Sequence, residues 1–353
     1  MTEILFNGNL FHITRILGLA AIAFIVAMAW TPLLTHYLFK YRLGKQIRAE
    51  GAPIFNELHQ KKEGTPTMGG ILIWLTVLIL AILFWVLGKI EPALFSKFNF
   101  LTRSETLLPL GCLVACALIG LGDDLLGIYK IGPKGGGLTI KYRLLIYTLI
   151  AIFGAWWFYY KLEWSLVHVP FIGDFYIGWW YIPVFIFVIV ATAFSVNETD
   201  GLDGLAGGVL LTSFAAYAAI AYSQGKMDLA AFCGLIIGAL LAFLWFNIHP
   251  ARFFMGDTGA MSLGVTLGII AMLTNAFLFL PFIGFILVLE SGSVIVQLIS
   301  KKIKGKKIFL STPIHHHFEA KGWPETKVTE RFWIISSITA AIGLILALME
   351  KII

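Results

Sequence analysis

Five aspartates in three short polar stretches are the residues of this chain best placed to do chemistry. Asp123 and Asp124 end an uncharged apolar run from Leu107 to Gly122. Asp200 and Asp203 lie in Asn197-Glu198-Thr199-Asp200-Gly201-Leu202-Asp203-Gly204, and Asp257 lies in Phe254-Met255-Gly256-Asp257-Thr258-Gly259. A carboxylate at bilayer depth costs about 2.5–3.5 kcal/mol on insertion scales, so an adjacent pair needs a membrane-surface position, a bound cation or a catalytic role. Hard carboxylate oxygens suit Mg2+, which takes one or two of them and completes its shell with water and phosphate. The stretches His59 to Gly70 and Pro313 to Glu319 add two lysines and four histidines, and basic side chains hold phosphate oxygens. Acid, base and Gly-rich backbone together point to phosphate chemistry.

The elements that must position these groups are membrane helices. Apolar residues make up 59% of the 353 and charged residues 13%, and the mean hydropathy is +0.86. A spanning helix needs about 20 apolar residues. Ten such runs begin near Ile16, Gly69, Leu107, Tyr142, Trp179, Leu205, Leu229, Ala260, Ala276 and Phe332. The expected fold is an all-α integral membrane protein of ten transmembrane helices, with residues 1–353 as one polytopic membrane domain. The first ten residues lack the basic start and small-residue cleavage site of a signal peptide, so the first span is expected to stay. Cys112, Cys116 and Cys233 fall inside apolar helices as small core packers, with no disulfide framework and no thiolate zinc site.

Most of the 26 basic residues belong to the connections after helices 1, 3, 5, 7 and 9. Positive charge stays inside, which puts those loops in the cytoplasm and both termini in the periplasm. The net charge of +6 reads as this bias plus attraction to anionic lipid, not as nucleic-acid binding. On the outer side, Glu163 to Tyr176 is expected to form a small periplasmic hairpin turning at Gly173-Asp174. The aromatic runs Trp156 to Tyr160 and Trp179 to Tyr181 fit an interfacial belt. Helix 9 carries Glu290-Ser291-Gly292-Ser293 between apolar halves and is expected to break there. That break reads either as a kink with Glu290 paired inside the bundle or as a bend that opens a groove for lipid.

All the polar clusters fall on the inner side of this plan, and each also has a plain structural reading. Asp123-Asp124 can be a solvated helix end. Asp200 to Gly204 can be a turn that caps helix 6, and Gly256 to Gly259 can cap helix 8. Three successive histidines cannot all point one way on a helix, which disfavours zinc and leaves a surface loop as the default. Lys301 to Lys307, with five lysines in seven positions, reads as a contact to anionic lipid.

Taken in order, Gly64-Thr65-Pro66-Thr67-Met68-Gly69-Gly70, the Asp123-Asp124 pair, the Asn197 to Ala206 string, Phe254 to Gly259 and Pro313-Ile314-His315-His316-His317-Phe318-Glu319 resemble the phospho-N-acetylmuramoyl-pentapeptide-transferases. These are the MraY translocases of peptidoglycan synthesis, and the resemblance covers almost the whole chain. The acidic motifs are shared with the wider superfamily of polyprenyl-phosphate sugar-1-phosphate transferases, and the histidine string narrows the match. The resemblance implies transfer of phospho-MurNAc-pentapeptide from its UDP-linked donor to undecaprenyl phosphate, giving lipid I and UMP with Mg2+ as cofactor. It also implies a homodimer in the bacterial inner membrane with its active site on the cytoplasmic face.

The same resemblance assigns roles. Asp257 is the expected Mg2+ ligand. Asp123 is the expected proton acceptor for the lipid phosphate, with Asp124 beside it. A phosphoryl monoester has a second pKa of about 6 and is largely ionised at neutral pH, so positioning is expected to dominate over base catalysis. Asn197 and Asp200 complete the site around metal and diphosphate. Lys62, Gly201, Leu202, Asp203, Asn247 and Phe254 match the nucleoside pocket, with Phe254 stacking on uracil and Asp203 accepting its N–H. Thr67, Lys141, His315, His316 and His317 are further candidates for diphosphate or sugar contacts. Direct displacement is preferred over a covalent intermediate. The chain departs from the pattern after Asp124, where an apolar, Gly-rich loop through Gly135-Gly136-Gly137 replaces a basic stretch and loosens the placement of Lys130, Lys134 and Lys141.

Two other readings compete. A sister transferase would pass N-acetylglucosamine-1-phosphate to the same lipid. A secondary transporter would also have ten helices and a broken one, but its acids would lie near the midplane of inverted repeats, and here they end helices on one face. Glu198 stands where the pattern is apolar and adds a charge beside the acids. A Glu198→Leu variant is therefore expected to shift Mg2+ dependence and donor KM, and unchanged values for both would remove Glu198 from the site.

Overall fold

In hydrocarbon every backbone N–H and C=O must be satisfied within the protein, and helices do this within a single segment. The computed structural model of the chain describes residues 2–44, 62, 64–102, 105–133 and 136–350, with side chains from Gly8 onward. Its elements are α1 (Thr2–Lys40), α2 (Ile71–Ile90), α3 (Leu107–Ile128), α4 (Ile140–Trp156), β1 (Leu166–Val169), β2 (Gly173–Tyr176), α5 (Tyr181–Thr199), α6 (Leu205–Ser223), α7 (Met227–Asn247), α8 (Gly256–Leu273), α9 (Phe285–Lys304), α10 (Ile314–Ala320) and α11 (Glu325–Met349). Among the described residues nine helices are long and apolar enough to span a membrane. The bent pair Phe277–Ile283 and Phe285–Lys304 makes a tenth. The protein is a nearly all-α, multi-pass membrane protein.

The broken helix is present, but the break is not at the polar run. The two pieces meet at 85° around Gly284, just after Leu280-Pro281. The polar run stays helical because its side chains are satisfied without disturbing the ladder. Ser291 Oγ donates to the Leu287 carbonyl at 2.9 Å and Ser293 Oγ to the Glu290 carbonyl at 2.7 Å. Ser195 Oγ on α5 donates to Ser291 Oγ at 2.8 Å. As a result α9 is inside out: Glu290, Ser291, Ser293, Gln297 and Ser300 are buried, and Val288, Ile295, Leu298, Ile299 and Ile303 are exposed. That polarity fits a helix with lipid on one side and a polar interior on the other.

The centre of the bundle is α8, of which every residue except Asp257 is buried. It packs on α3 and α5, while α4 leans on α5, and α1 and α6 pack on α7. Glycine makes the closest approach possible: a Cβ on Gly120 of α3 would lie 2.3 Å from the Asp257 carbonyl oxygen and 2.7 Å from Thr258 Cα. The large polar clusters gather at one end of this bundle. A two-stranded hairpin lies at the other.

In the hairpin Val169 pairs with Gly173 and Leu166 with Tyr176. The turn is therefore Pro170 to Ile172, and Gly173-Asp174 opens the second strand instead of making the turn. One reason is His168, which needs Asp174 directly opposite. His168 Nδ1 contacts Asp174 Oδ1 and Nε2 contacts Glu350 Oε1 just beyond α11, both at 2.6 Å, while the Phe171 N–H donates to the same Glu350 oxygen. Burial lowers the His168 pKa, but hydrogen bonds to the two carboxylates outweigh it and raise the value above the ordinary one. A raised folded-state pKa gives stabilisation that is full below the unfolded value and is lost as pH climbs through the folded one. Amide protection of the hairpin is expected to fall as pH rises beyond the ordinary histidine value of about 6.5. A His168→Gln variant should lose that dependence, and wild-type protection that is flat across the range would refute the latch.

Candidate functional site

The site is assembled around the buried amino end of α8. A helix start has N–H groups with no partner in the helix and a partial positive charge, so it attracts carboxylates. Here they arrive from distant segments. Gly256 N–H donates to Asp200 Oδ2 at 3.2 Å, Asp257 N–H to Asp124 Oδ1 at 3.1 Å and Thr258 N–H to Asp124 Oδ2 at 3.0 Å. Thr67 Oγ1 donates to Asp124 Oδ1 at 3.3 Å. Gly256 has φ +74, and a Cβ there would lie 2.6 Å from both Asp124 Oδ2 and Thr67 Oγ1. Glycine is required on both counts. The segment before α2 is laid against this corner by backbone bonds, from Phe254 N–H to the Pro66 carbonyl and from Gly69 and Gly70 N–H to the Phe254 and Met255 carbonyls.

With Asp124 and Asp200 used as caps, the side chains of Asp123 and Asp257 meet over Arg143. Nη2 of Arg143 lies 2.8 Å from both Asp123 Oδ2 and Asp257 Oδ2. Nη1 donates to Asn197 Oδ1 at 2.9 Å. Asn197 Nδ2 donates to Asp257 Oδ1, and the Leu138 N–H to Asp123 Oδ1, both at 2.5 Å. Two carboxylates of one charge at this depth are tolerable because one guanidinium serves both. Lys141, two residues before Arg143, is exposed on the outside of α4. Lys130 is exposed as well, and Lys134 lies outside the described residues.

A second polar group sits beside the first. Lys62 Nζ is 2.7 Å from Asp203 Oδ1, also contacts Glu325 Oε1, and lies 5.8 Å from the centre of the Phe254 ring. Asp203 Oδ2 accepts from the Ala251 N–H at 3.1 Å and contacts His249 Nδ1 at 2.9 Å. The Asp203 N–H donates to Glu325 Oε1 at 2.6 Å. Asn247 is wholly committed to the backbone, accepting from Gly204 N–H at 3.0 Å and donating to the Phe253 carbonyl at 2.8 Å. It acts through the chain, and Leu202, near Gly204 in sequence, is buried.

The histidine string is a short helix, α10, and not a surface loop. His315 is fully buried, with Nδ1 2.9 Å from Glu290 Oε2 on α9. Its Nε2 points at Gly201, where a Cβ would be only 2.2 Å away. Burial lowers the His315 pKa, and the facing charges of Glu290, Glu319 and Glu198, with the Glu290 hydrogen bond, raise it above the ordinary value overall. His316 Nδ1 pairs with Glu319 Oε2 at 2.7 Å, and His317 Nδ1 accepts from the Leu310 N–H at 3.2 Å. Glu198 lies within electrostatic reach of His315, Arg143 and Glu290.

Two sets of groups could hold a cation. Asp123, Asp257 and Asn197 offer side-chain oxygens, a hard donor set of the kind Mg2+ prefers. Asp203, His249 and Glu325 bring ligand atoms within 4.8 Å of one another, but the ammonium of Lys62 already serves that trio. Three residues in these networks have no role in the sequence reading: Arg143, His249 and Glu325. Arg143 was signalled only by being a charge in the first turn of a spanning helix, while Glu290, expected to pair inside the bundle, does so with His315.

Comparison with known proteins agrees with the motif pattern. A family model described as glycosyl transferase family 4 matches residues 106–275. A phospho-N-acetylmuramoyl-pentapeptide-transferase signature matches residues 62–73. A protein of Chloroflexus aggregans with that transferase name is 39% identical over 348 residues, 95% of this chain and 90% of the relative. Relatives of the same name from Geobacillus thermodenitrificans and Bacillus anthracis are each 37% identical, covering 92% of this chain and 95% of the relative.

Removing Arg143 would leave Asp123 and Asp257 facing each other without a counter-charge. Arg143→Met is expected to cost about 3 kcal/mol in stability, read as a lower melting temperature in detergent. Adding Asp257→Asn should restore part of the loss, because the two changes act on one interaction. A single variant that melts like the wild type would show that the guanidinium does not hold the pair.

Proposed function

Because the chain belongs to the phospho-N-acetylmuramoyl-pentapeptide-transferase family, it is a transferase, and we propose that it passes phospho-MurNAc-pentapeptide from UDP-MurNAc-pentapeptide to undecaprenyl phosphate, releasing UMP and forming lipid I. The product class makes this the first membrane step of peptidoglycan synthesis. The proposal includes a bacterial inner membrane location, a cytoplasmic active site with both termini on the opposite face, a homodimer, and the whole chain acting as one membrane domain. The observation that carries the reading is the meeting of Asp123, Asp257 and Asn197 on Arg143 at a membrane-helix end.

In this reading Asp257, with Asn197 and Asp123 near it, holds Mg2+. Bound Mg2+ supplies charge neutralisation across the donor diphosphate and on the departing UMP. Arg143 orients phosphate oxygens and keeps Asp123 and Asp257 compatible at close range. Asp124 and Asp200 hold the start of α8, so that the Asp257 side chain emerges at a fixed point. Lys62, Asp203 and Phe254 take the nucleoside, with Gly201, Leu202 and Asn247 shaping the wall. Thr67 braces Asp124, and His315, backed by Glu290, packs on the Gly201 turn. His316, His317 and the exposed Lys141 remain candidates for sugar or diphosphate contact.

Asp124 accepts two backbone N–H groups and a hydroxyl, which leaves it poorly suited as a nucleophile and favours direct attack by the lipid phosphate. Asp123 is close enough to that position to take a proton, but an ionised phosphate needs little help. Trapping a phosphosugar on either aspartate without acceptor would overturn the one-step mechanism.

Purified protein with undecaprenyl phosphate and Mg2+ is expected to release UMP from UDP-MurNAc-pentapeptide and not from UDP-GlcNAc. Release from the second donor alone would move the chain to the sister transferases, and release from neither would end the proposal. Asp257→Asn is expected to lower kcat by about 10³-fold or more, and near-normal turnover would refute its metal role.

A further inference from the structure

Five lysines at the end of α9 have no part in the networks around Arg143, Lys62 or His315. Lys301, Lys302, Lys304, Lys306 and Lys307 are all exposed, and among the described residues none of them enters an ion pair. Like charges so close in sequence repel one another, so an external anion gains by meeting them. They also stand where lipid ends. The exposed apolar face of α9, with Val288, Ile295, Leu298, Ile299 and Ile303, runs directly into them, and Ile303 is 74% exposed between Lys302 and Lys304. Ile308 and Leu310 are exposed just beyond. A soluble acidic partner would leave these apolar side chains in water, whereas at a bilayer interface they enter the acyl region while the lysine heads reach the headgroups. The occupant that satisfies both is an anionic phospholipid.

The segment that carries the last two lysines is held in a defined shape. Gly305, with φ +63, ends α9 in the left-handed conformation and turns the chain back. Ser300 Oγ then donates to the Lys306 carbonyl at 2.9 Å. Buried Gln297 acts as a strand partner would: its Oε1 accepts from the Ile308 and Phe309 N–H groups at 2.9 and 3.1 Å, and its Nε2 donates to the Phe309 carbonyl at 3.0 Å. The same segment then reaches the histidine helix. The Phe309 ring lies edge-on, 5.5 Å from the His317 ring, and the Leu310 N–H donates to His317 Nδ1 at 3.2 Å. Residues 306–310 therefore join the lysines to α10, whose His315 packs on the Gly201 turn.

We propose that Lys301 to Lys307 form a dock for anionic phospholipid headgroups in the leaflet on the active-site side, and that an occupied dock steadies residues 305–310 and with them α10. The second half rests on the transferase reading, since it makes turnover depend on membrane charge. In a neutral membrane, repulsion among the lysines opposes the folded-back segment. Anionic headgroups remove it. Each basic residue near an anionic surface favours contact by about fivefold, an effect confined to within a Debye length of the membrane.

The test is hydrogen exchange and UMP release on the full chain in nanodiscs of phosphatidylcholine, with and without phosphatidylglycerol. Phosphatidylglycerol is expected to slow exchange across residues 305–310 by at least about fivefold and to raise kcat several-fold. A variant combining Lys302→Gln, Lys306→Gln and Lys307→Gln, altered only at exposed side chains, should lose both responses and match the wild type in phosphatidylcholine alone. Equal exchange in the two membranes, or a variant that responds like the wild type, would overturn the dock. So would the same protection produced in phosphatidylcholine by glycerol phosphate or by UDP-MurNAc-pentapeptide, which would assign the lysines to a soluble anion or to the donor. Slowed exchange with an unchanged kcat would overturn the link to α10. Exchange requires no turnover, so a wild type that releases no UMP would end the transferase reading while the dock is still decided.

Discussion

The buried amino end of α8 is the constraint on which the rest of the polar architecture depends. A spanning helix normally ends in water or among headgroups, where its free N–H groups are solvated. This one begins inside the bundle, and Asp124 and Asp200 supply the missing acceptors. One carboxylate comes from the end of α3 and the other from the α5–α6 connection, so satisfying one helix end locks three separate segments together. The close contact at Gly120 and the positive φ of Gly256 follow from the same need. The adjacent pair is thus divided: Asp124 accepts from the start of α8, and Asp123 meets Arg143.

Burying this many carboxylates is possible only with a matching cation or donor at each. Arg143 serves Asp123 and Asp257, Lys62 serves Asp203 and Glu325, and His315 serves Glu290. Removing any one of these would leave a charge in a region of low dielectric, where it is far more costly than at a surface. The three hubs are also distinct in space, with Asp123, Asp257 and Asn197 around Arg143, Asp203 and Glu325 around Lys62, and His315 against the Gly201 turn. Arg143 and Asp257 are 114 positions apart and Lys62 and Asp203 are 141 apart, whereas His315 and Glu290 are 25 apart.

Much of this was legible in the chain. Apolar runs of membrane length, basic loops and Asp or Gly strings at helix ends are local features, and they locate ten helices and the motifs that gather at one end. Lys62, Asp203 and Phe254 do come together. The errors have local causes as well. Glu290-Ser291-Gly292-Ser293 reads as a break because polar residues in an apolar run usually end it, but hydroxyls that bond back to the preceding turn and a partner for Glu290 keep the helix intact. The hairpin turns three residues before the Gly-Asp pair because Asp174 is needed across from His168.

Which charge faces which is a matter of rotation about a helix axis. Lys141 and Arg143 differ by two positions, about 200° around an α-helix, and nothing near them in sequence says which looks inward. Similarly, Asp123 and Asp124 are neighbours whose side chains leave the helix about 100° apart, one toward Arg143 and the other toward the start of α8. Residue types, run lengths and motif order are one-dimensional properties, and composition and resemblance are enough to identify a multi-pass transferase with its acidic motifs at helix ends. Which carboxylates cap α8 and which meet Arg143, and the inward face of Arg143 beside an exposed Lys141, exist only once helices have been rotated and packed, because each is set by the partner across the gap.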